Sequence, residues 1–207
     1  MWEKSLGIVT GMVGCGMNNR ITVKDTGIDG LKIISPCYTE DSRGYFVKSL
    51  ERDVLKQHGL QLDVQEEFES YSRRDVIRGL HFQSKNPQVK IIRVIKGAVY
   101  DVAVDLRKGS PSFGRHIGME LTDNNHLSLW IPSGFAHGFR VLSEDAIMSY
   151  CCIGKYEMTY DTGIRWDDPH LAIRWNCNRP IISEKDYHLQ SFQEFVESCG
   201  GLQSKVF

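Results

Sequence analysis

The chain has 207 residues, 41% of them hydrophobic, and its 25 Lys and Arg balance 26 Asp and Glu to a net charge of −1. This length fits one domain with a sizeable core, and the balanced charge excludes the basic surplus that binds nucleic acid through its phosphates. The six cysteines include no CxxC pair and fall short of a disulfide scaffold, which favours reduced thiols.

Residues 1–20 are predicted to be an N-terminal extension outside the core. The apolar stretch that ends at Cys15 is interrupted by glycines and follows Glu3 and Lys4. No stretch of the chain approaches the roughly 20 apolar residues of a membrane span. We therefore expect residues 21–207 to form a single domain, located in the cytoplasm, with neither a membrane nor a nucleic acid as partner.

The centre of the chain consists of short runs rich in Val, Ile, Phe and Tyr, each closed by a turn sequence. These runs are Lys90 to Ile95, Ala98 to Leu106, His116 to Leu121, His126 to Ile131, Gly138 to Leu142 and Ala146 to Cys152. Helical spacing is confined to the flanks, at Leu50 to His58 and at Asp186 to Cys199. The pattern predicts an all-β sandwich or barrel with short flanking helices.

Histidines, cations and aspartates lie within these predicted strands. Between Tyr100 and Leu106 the even positions are apolar, so Asp101 and Asp105 share the face that carries Ala103. A charged strand face is exposed to solvent or lines a ligand cavity, and a polar interior in a small barrel favours the cavity.

The chain resembles the dTDP-4-dehydrorhamnose 3,5-epimerase family, cupin-type jelly-roll enzymes of deoxysugar synthesis, over about residues 21 to 190. The matching segments are Asp41 to Phe46, Arg78 to Gln83, Asp101 to Arg107, Trp130 to Phe139, Tyr150, Gly163 to Pro169 and Ser183 to Asp186. The resemblance implies a cupin-type double-stranded β-helix, a nucleotide-linked 4-keto-6-deoxy sugar as substrate, and a homodimer in which an N-terminal strand crosses to the partner.

The resemblance also implies a proton-transfer mechanism at the carbons C3 and C5 that flank the C4 ketone. His81 matches the base, and an imidazole of pKa about 6.5 can accept a proton at neutral pH. Asp186 matches the carboxylate that orients this histidine. Tyr150 matches the acid on the opposite face, because a phenol of pKa about 10 retains its proton. Lys90 and Arg78 would stabilise the enolate oxygen.

Further residues are expected to contact the substrate, with Arg favoured at the diphosphate for its forked donors. They are Arg43, Phe46, Lys48, Glu66, Phe68, Arg78, Gln83, His137 and Tyr156. His137 is expected to act as a sugar contact or a secondary proton carrier, and Tyr156 and Trp130 as stacking surfaces near the entrance.

We expect the protein to use neither a cofactor nor a metal. Many cupins hold a metal with a His-x-His pair, a Glu and a later His, whereas here Phe82-Gln83 follows His81 and Lys90 stands where the Glu is expected. Only His137 of that set is retained, and three protein ligands are the usual minimum of a catalytic site.

Three departures from the family pattern fall where its members contact the sugar and nucleotide. Lys48 replaces a Glu, the segment 66–70 replaces Gln-Asp-Asn-His-Ser, and the segment 154–156 replaces Asn-Tyr-Tyr. They leave open a CDP or GDP carrier, a different sugar, or inversion at one centre only. A 3,4-ketoisomerase of the same fold, a non-catalytic sugar-binding cupin and a metal-dependent oxygenase are the competing functions.

Several residues are predicted to have only structural roles. Asp105 and Arg107 should form an ion pair, and Cys151 and Cys152 should pack in the core. The remaining histidines, predicted to lie on the surface or in loops, are His58, His116, His126, His170 and His188.

Overall fold

The computed structural model describes residues 20–203, so the predicted extension lies outside the described residues except for Arg20. The strands are β1 (Thr22–Asp25), β2 (Lys32–Ser35), β3 (Cys37–Asp41), β4 (Gly44–Lys48), β5 (Glu66–Arg73), β6 (Ile77–Gln83), β7 (Val89–Lys96), β8 (Ala98–Asp105), β9 (His116–Thr122), β10 (Ser128–Ile131), β11 (Phe135–Val141), β12 (Asp145–Ile153) and β13 (Asp161–Gly163). The helices are α1 (Arg52–Gln57), α2 (Glu184–Tyr187) and α3 (Phe192–Cys199), and Met158–Tyr160 forms a short 3-10 helix.

Two antiparallel sheets pack face to face. One has the strand order β1-β2-β10-β7-β12-β5 and the other β13-β6-β11-β8-β9, while β3 and β4 form a separate hairpin. Strands that are distant in sequence are neighbours in both sheets, as β12 beside β5 and β11 beside β6 illustrate. The all-β class and the jelly-roll architecture predicted from the sequence are confirmed.

Side-chain alternation along the strands divides the interior into three apolar layers. Between the sheets, Ile92 and Met148 of the first sheet pack with Phe139 of the second. Outside the second sheet, Phe82 packs against Phe195 of α3 in a further cluster. A third cluster covers the outer face of the first sheet and includes residues of α1. Residues on the outer face of each sheet are thereby covered, and the polar site shares the space between the sheets with the first cluster.

All six predicted central strands are found, with β11 starting earlier than predicted, at Phe135. The single helix predicted from Asp186 to Cys199 is wrong, because the chain forms two short helices there. Ser191 begins the second with a capping box to Glu194, and Gly200 ends it in the left-handed conformation at φ 64°. Among residues 20–203, no helix combines the length and apolarity required to cross a bilayer.

One prediction about an individual side chain is wrong, and one predicted loop residue proves to be buried. Trp130 is 5% exposed and packs near Leu55 of α1 on the outer face of its sheet, so it does not lie at an entrance. His126 lies in the loop before β10, as predicted, but it is buried, since its ring stacks on Tyr38 at a centroid distance of 5.0 Å and contacts Tyr45 at 5.1 Å. This aromatic cluster attaches the β3–β4 hairpin to the sandwich.

The expected structural roles of two other groups agree with the geometry. Asp105 binds Arg107 through two side-chain hydrogen bonds of 2.9 and 2.7 Å. Cys152 is fully buried between the sheets, and the five cysteines within the described chain are unpaired thiols.

Candidate active site

The inner face of β6 carries His81, which is paired with a buried carboxylate. The Nε2 atom of His81 lies 2.7 Å from Asp186 Oδ1, and the backbone N–H of Gly79 donates to Asp186 Oδ2 at 3.0 Å. Asp186 is placed by α2, where its own backbone N–H donates to the N-cap Ser183. When Nε2–H donates to Asp186, the Nδ1 atom of His81 retains its lone pair and can accept a proton.

The carboxyl of Asp186 is ionised more readily than an ordinary aspartate. Burial acts to raise its pKa, but the hydrogen bonds from His81 and from the backbone of Gly79 outweigh burial and hold the pKa below its usual value. A fixed negative charge beside His81 stabilises the imidazolium that forms when this histidine takes up a proton.

A second histidine–aspartate pair lies on the neighbouring strands. His137 of β11 is 5% exposed, and its Nε2 atom lies 2.8 Å from Asp101 Oδ2 of β8. Asp101 is fully buried, and burial raises the pKa of its carboxyl despite the opposing effect of His137. The sequence placed Asp101 on a cavity-lining face but did not identify its partner.

Tyr150 lies on the opposite wall, on the inner face of β12. Its hydroxyl lies 3.2 Å from Ser70 Oγ, and its ring stacks on Phe68 with centroids 4.6 Å apart and an interplanar angle of 12°. The residue is 6% exposed, and burial raises the pKa of its phenol above the ordinary value. The phenol is therefore held protonated and in one orientation.

Lys90 projects from the inner face of β7, in register with Cys152 of β12. Burial lowers the pKa of Lys90, and Asp161 partly offsets this effect. Burial also raises the pKa of the Cys152 thiol to about 11, so the thiol remains neutral near the lysine. Asp161 is itself bound by Lys185 at 2.5 Å, which forms a charged rim around this part of the cleft.

Arg78 reaches the cleft from β6 as an exposed residue. Its Nε atom donates to Ser72 Oγ at 2.9 Å, and one terminal nitrogen donates to the carbonyl of Tyr71 at 3.2 Å. These two bonds fix the guanidinium beside the cleft and leave further donors available for an anion.

The segment 154–157 is held in place by residues that were predicted to contact substrate. The amide of Gln83 donates to the carbonyls of Asn86 and Lys155 at 2.9 and 3.2 Å, and Glu66 Oε1 accepts from the backbone N–H of Tyr156 at 2.7 Å. The hydroxyl of Tyr156 donates to Asp161 at 3.2 Å, while its ring remains exposed. The departures at Glu66 and in segment 154–156 therefore form hydrogen bonds with each other.

The predicted contact residues of the β3–β4 hairpin bind partners outside this group. Arg43 is exposed and bound to Asp41, Lys48 is bound to Glu51 at 2.9 Å, and Phe46 is 59% exposed. Their contact with a substrate stays a prediction that requires the hairpin of a second copy.

The donor set does not fit a cupin metal site. The Nε2 atoms of His81 and His137 are each directed at a carboxylate, and Lys90 adds a positive charge nearby. Across residues 20–203, no group of three or more His, Cys, Asp or Glu is arranged to hold a metal ion.

The cleft combines a proton acceptor on one sheet with a proton donor on the facing sheet. His81 with Asp186 can remove a proton from one face of a bound carbon acid, and Tyr150 can deliver one to the other face. Lys90 and Arg78 can stabilise an enolate oxygen between them. Ser70, which the sequence did not single out, is the hydroxyl partner of Tyr150.

The chain is similar to known epimerases of dTDP-linked keto sugars. The sequence model described as dTDP-4-dehydrorhamnose 3,5-epimerase matches residues 25–194. The chain is 44% identical over 172 residues to the dTDP-4-dehydrorhamnose 3,5-epimerase of Methanothermobacter thermautotrophicus, covering 82% of this chain and 93% of that protein. A dTDP-4-dehydrorhamnose 3-epimerase of Streptomyces niveus is 35% identical over 166 residues, covering 79% of this chain and 80% of that one.

The fold is similar to that of a solved relative with a bound nucleotide sugar. The crystal structure of dTDP-6-deoxy-D-glucose-3,5-epimerase from Legionella pneumophila, in complex with dTDP-4-keto-L-rhamnose, superposes with a TM-score of 0.84. The two sequences are 36% identical, and the match covers 90% of this chain and all of that one. The chain therefore belongs to the dTDP-4-dehydrorhamnose 3,5-epimerase family and is a nucleotide-sugar epimerase.

Proposed function

We propose that the enzyme inverts C3, C5 or both in a dTDP-linked 4-keto-6-deoxy sugar through an enolate. The observation that carries this proposal is the placement of His81 with Asp186 on one wall and of Tyr150 on the facing wall. His81 removes the proton next to the C4 ketone, and Tyr150 returns a proton to the opposite face.

The remaining site residues have defined parts in this proposal. Lys90 stabilises the enolate oxygen, and Arg78 binds the enolate or the diphosphate. The exposed ring of Tyr156 stacks on the base or sugar near the entrance. No metal or other cofactor takes part.

A dTDP carrier is favoured over CDP or GDP because the relatives named above are named for dTDP sugars. The 3,4-ketoisomerase alternative is not favoured by these relatives. The relatives include both a 3,5-epimerase and a 3-epimerase, so the number of centres inverted is an outcome of the experiment.

The test is proton exchange in D₂O, followed by NMR, with dTDP-, CDP- and GDP-linked 4-keto-6-deoxy sugars. We expect deuterium at C3, C5 or both with the dTDP sugar, unchanged by EDTA and absent in His81→Ala. His58→Ala, an exposed histidine at the end of α1, is the matched control and should retain exchange. An absence of exchange with every carrier would refute the proposal, and ketone migration to C3 would favour the isomerase.

The enzyme is further proposed to be a cytoplasmic homodimer in which the β3–β4 hairpin reaches the partner's cleft. The exposed rings of Tyr45 and Phe46, at 61% and 59%, support this role because a partner would cover them. Mixing inactive Arg43→Ala with inactive His81→Ala should restore activity in mixed dimers, since one site then has both residues intact. A monomer in light scattering, or no restoration after subunit exchange, would contradict the arrangement.

A further inference from the structure

The proposed function, on which this inference rests, changes the protonation of two residues, and both must return to their starting states before the next inversion. After one inversion His81 carries an extra proton as imidazolium, and Tyr150 has become a phenolate. Tyr150 is 6% exposed, and burial raises the pKa of its phenol, so the phenolate is unfavourable where it forms. One proton must travel from the base to the acid before the next inversion.

His137 occupies the position between these two groups. On the antiparallel pair β11–β6, His137 is the direct register partner of His81, which places both side chains on the same face about 5 Å apart at Cβ. Across the gap between the sheets, its ring contacts that of Tyr150 edge-on, with centroids 6.2 Å apart at 70°. His137 therefore neighbours both the base and the acid.

Asp101 is the buried hydrogen-bond partner of His137. It is fully buried and binds His137 through Oδ2, whereas its Oδ1 atom has no hydrogen-bond partner among residues 20–203. Buried polar atoms without a partner are uncommon in proteins, and catalytic groups are among them. The titratable and charged groups nearest the pair are His81, Arg78 and Tyr150, and their side chains form hydrogen bonds with Asp186, Ser72 and Ser70 instead.

We propose that His137, held by Asp101, is the relay that returns a proton to Tyr150 between inversions. His137 takes up the proton that His81 removed from the sugar, directly or through one water. The imidazolium of His137 that results then gives a proton to the phenolate. Protons balance over the cycle, and no other reactant is needed.

The test separates the first inversion from repeated turnover. The full-length chain and its His137→Gln variant are mixed with dTDP-4-keto-6-deoxy-D-glucose in D₂O, and product is measured by rapid quench and at steady state. The variant is expected to form the first inverted product per site within about threefold of the wild-type rate, while steady-state turnover falls about 10²-fold. His116→Gln is the matched control, because His116 lies on β9 beside Val104 on the outer face, and it should leave both rates unchanged.

Rescue by a diffusible base gives a readout that a structural role would not move. Added imidazole should raise the steady-state rate of His137→Gln in proportion to its concentration and leave the wild-type rate unchanged. Asp101→Asn is a second variant at the same pair and should also retain the first inversion and lose turnover.

The possible failures can be told apart. Wild type that shows no exchange would overturn the proposed function and the relay with it. If the wild type is active, three results for His137→Gln would overturn the relay alone. They are an equal loss of the first inversion and of steady-state turnover, the retention of both, and a steady-state rate that does not respond to imidazole. Equal acceleration of wild type and variant by imidazole would also overturn it.

Discussion

Replacing Asp186 with Asn removes the negative charge behind the base and nearly preserves its shape. The carboxylate accepts from His81 and from Gly79, whereas the amide has only one oxygen. If that oxygen keeps the bond from Gly79, the amide NH₂ faces Nε2 of His81. The imidazole proton then moves to Nδ1, which is the nitrogen that must accept the substrate proton.

The size of the effect follows from the lost bond. A hydrogen bond to a charged group is worth about 1.5–3 kcal/mol, and about 1.36 kcal/mol corresponds to a tenfold change in rate. The lost stabilisation of the imidazolium alone lowers kcat about 10- to 150-fold. The wrong tautomer adds to this, and in a serine protease triad the same substitution costs about 10⁴, so we expect a loss of about 10² to 10⁴.

The assay is kcat and KM for C3 and C5 inversion by NMR, with the unfolding free energy measured in parallel. KM should change little, because Asp186 lies behind His81. The pKa of Asp186 is lowered in the folded state, so its contribution to stability is present above the unfolded pKa of about 3.9 and is lost as pH falls through the folded pKa. The stability advantage of wild type over Asp186→Asn should therefore shrink below about pH 4. A kcat within threefold of wild type would refute the assigned pairing.

Three further substitutions test neighbouring parts of the site. Phe68→Leu removes the ring stacked on the phenol and should lower the unfolding free energy in urea by about 0.5–1.5 kcal/mol; an unchanged midpoint would contradict the stacking. Burial lowers the pKa of Lys90, so this lysine loses its charge at a lower pH than an exposed lysine does. As the pH is raised, wild-type kcat should therefore begin to decrease before about pH 10.4, the ordinary pKa of lysine. Lys90→Gln should lack that limb, and a limb retained in the variant would assign it to another group. Gly79→Ala places a Cβ 2.6 Å from the carbonyl oxygen of His137 at φ +113°, whereas Gly109→Ala meets nothing within 4 Å at φ +76°. Calorimetry should therefore show a greater loss of Tm for Gly79→Ala, and equal losses would exclude the steric cause.

The central strands could be predicted because their alternation is a local property of the sequence. Ala98 to Leu106 was predicted from apolar even positions, and β8 follows it to within one residue. Strand β5 was not predicted, because it runs along a sheet edge and most of its residues are polar and exposed. Such a strand lacks the alternation of apolar and polar residues by which the other strands were predicted.

The members of the site could be predicted only where a family resemblance supplied them. His81 and Asp186 are 105 residues apart, and no local pattern joins them. Ser70 and Asp101 obtain their partners from strands that lie beside their own in a sheet but are distant in sequence, which alternation within a single strand cannot specify. Trp130 was misplaced for a related reason, because an aromatic residue fits either face of a buried strand.

The proposed base, His81, and the proposed acid, Tyr150, stand on different sheets, so the spacing of the sheets sets the distance between them. Sheets that pack face to face lie about 10 Å apart. An imidazole from one wall and a phenol from the other therefore extend into this space from opposite sides. The apolar residues packed between the sheets, such as Ile92 and Met148, maintain this spacing. A substitution at one of these residues would change the distance between His81 and Tyr150, although the substituted side chain itself would not contact the sugar. The packing of the core is therefore also a determinant of the geometry of proton transfer.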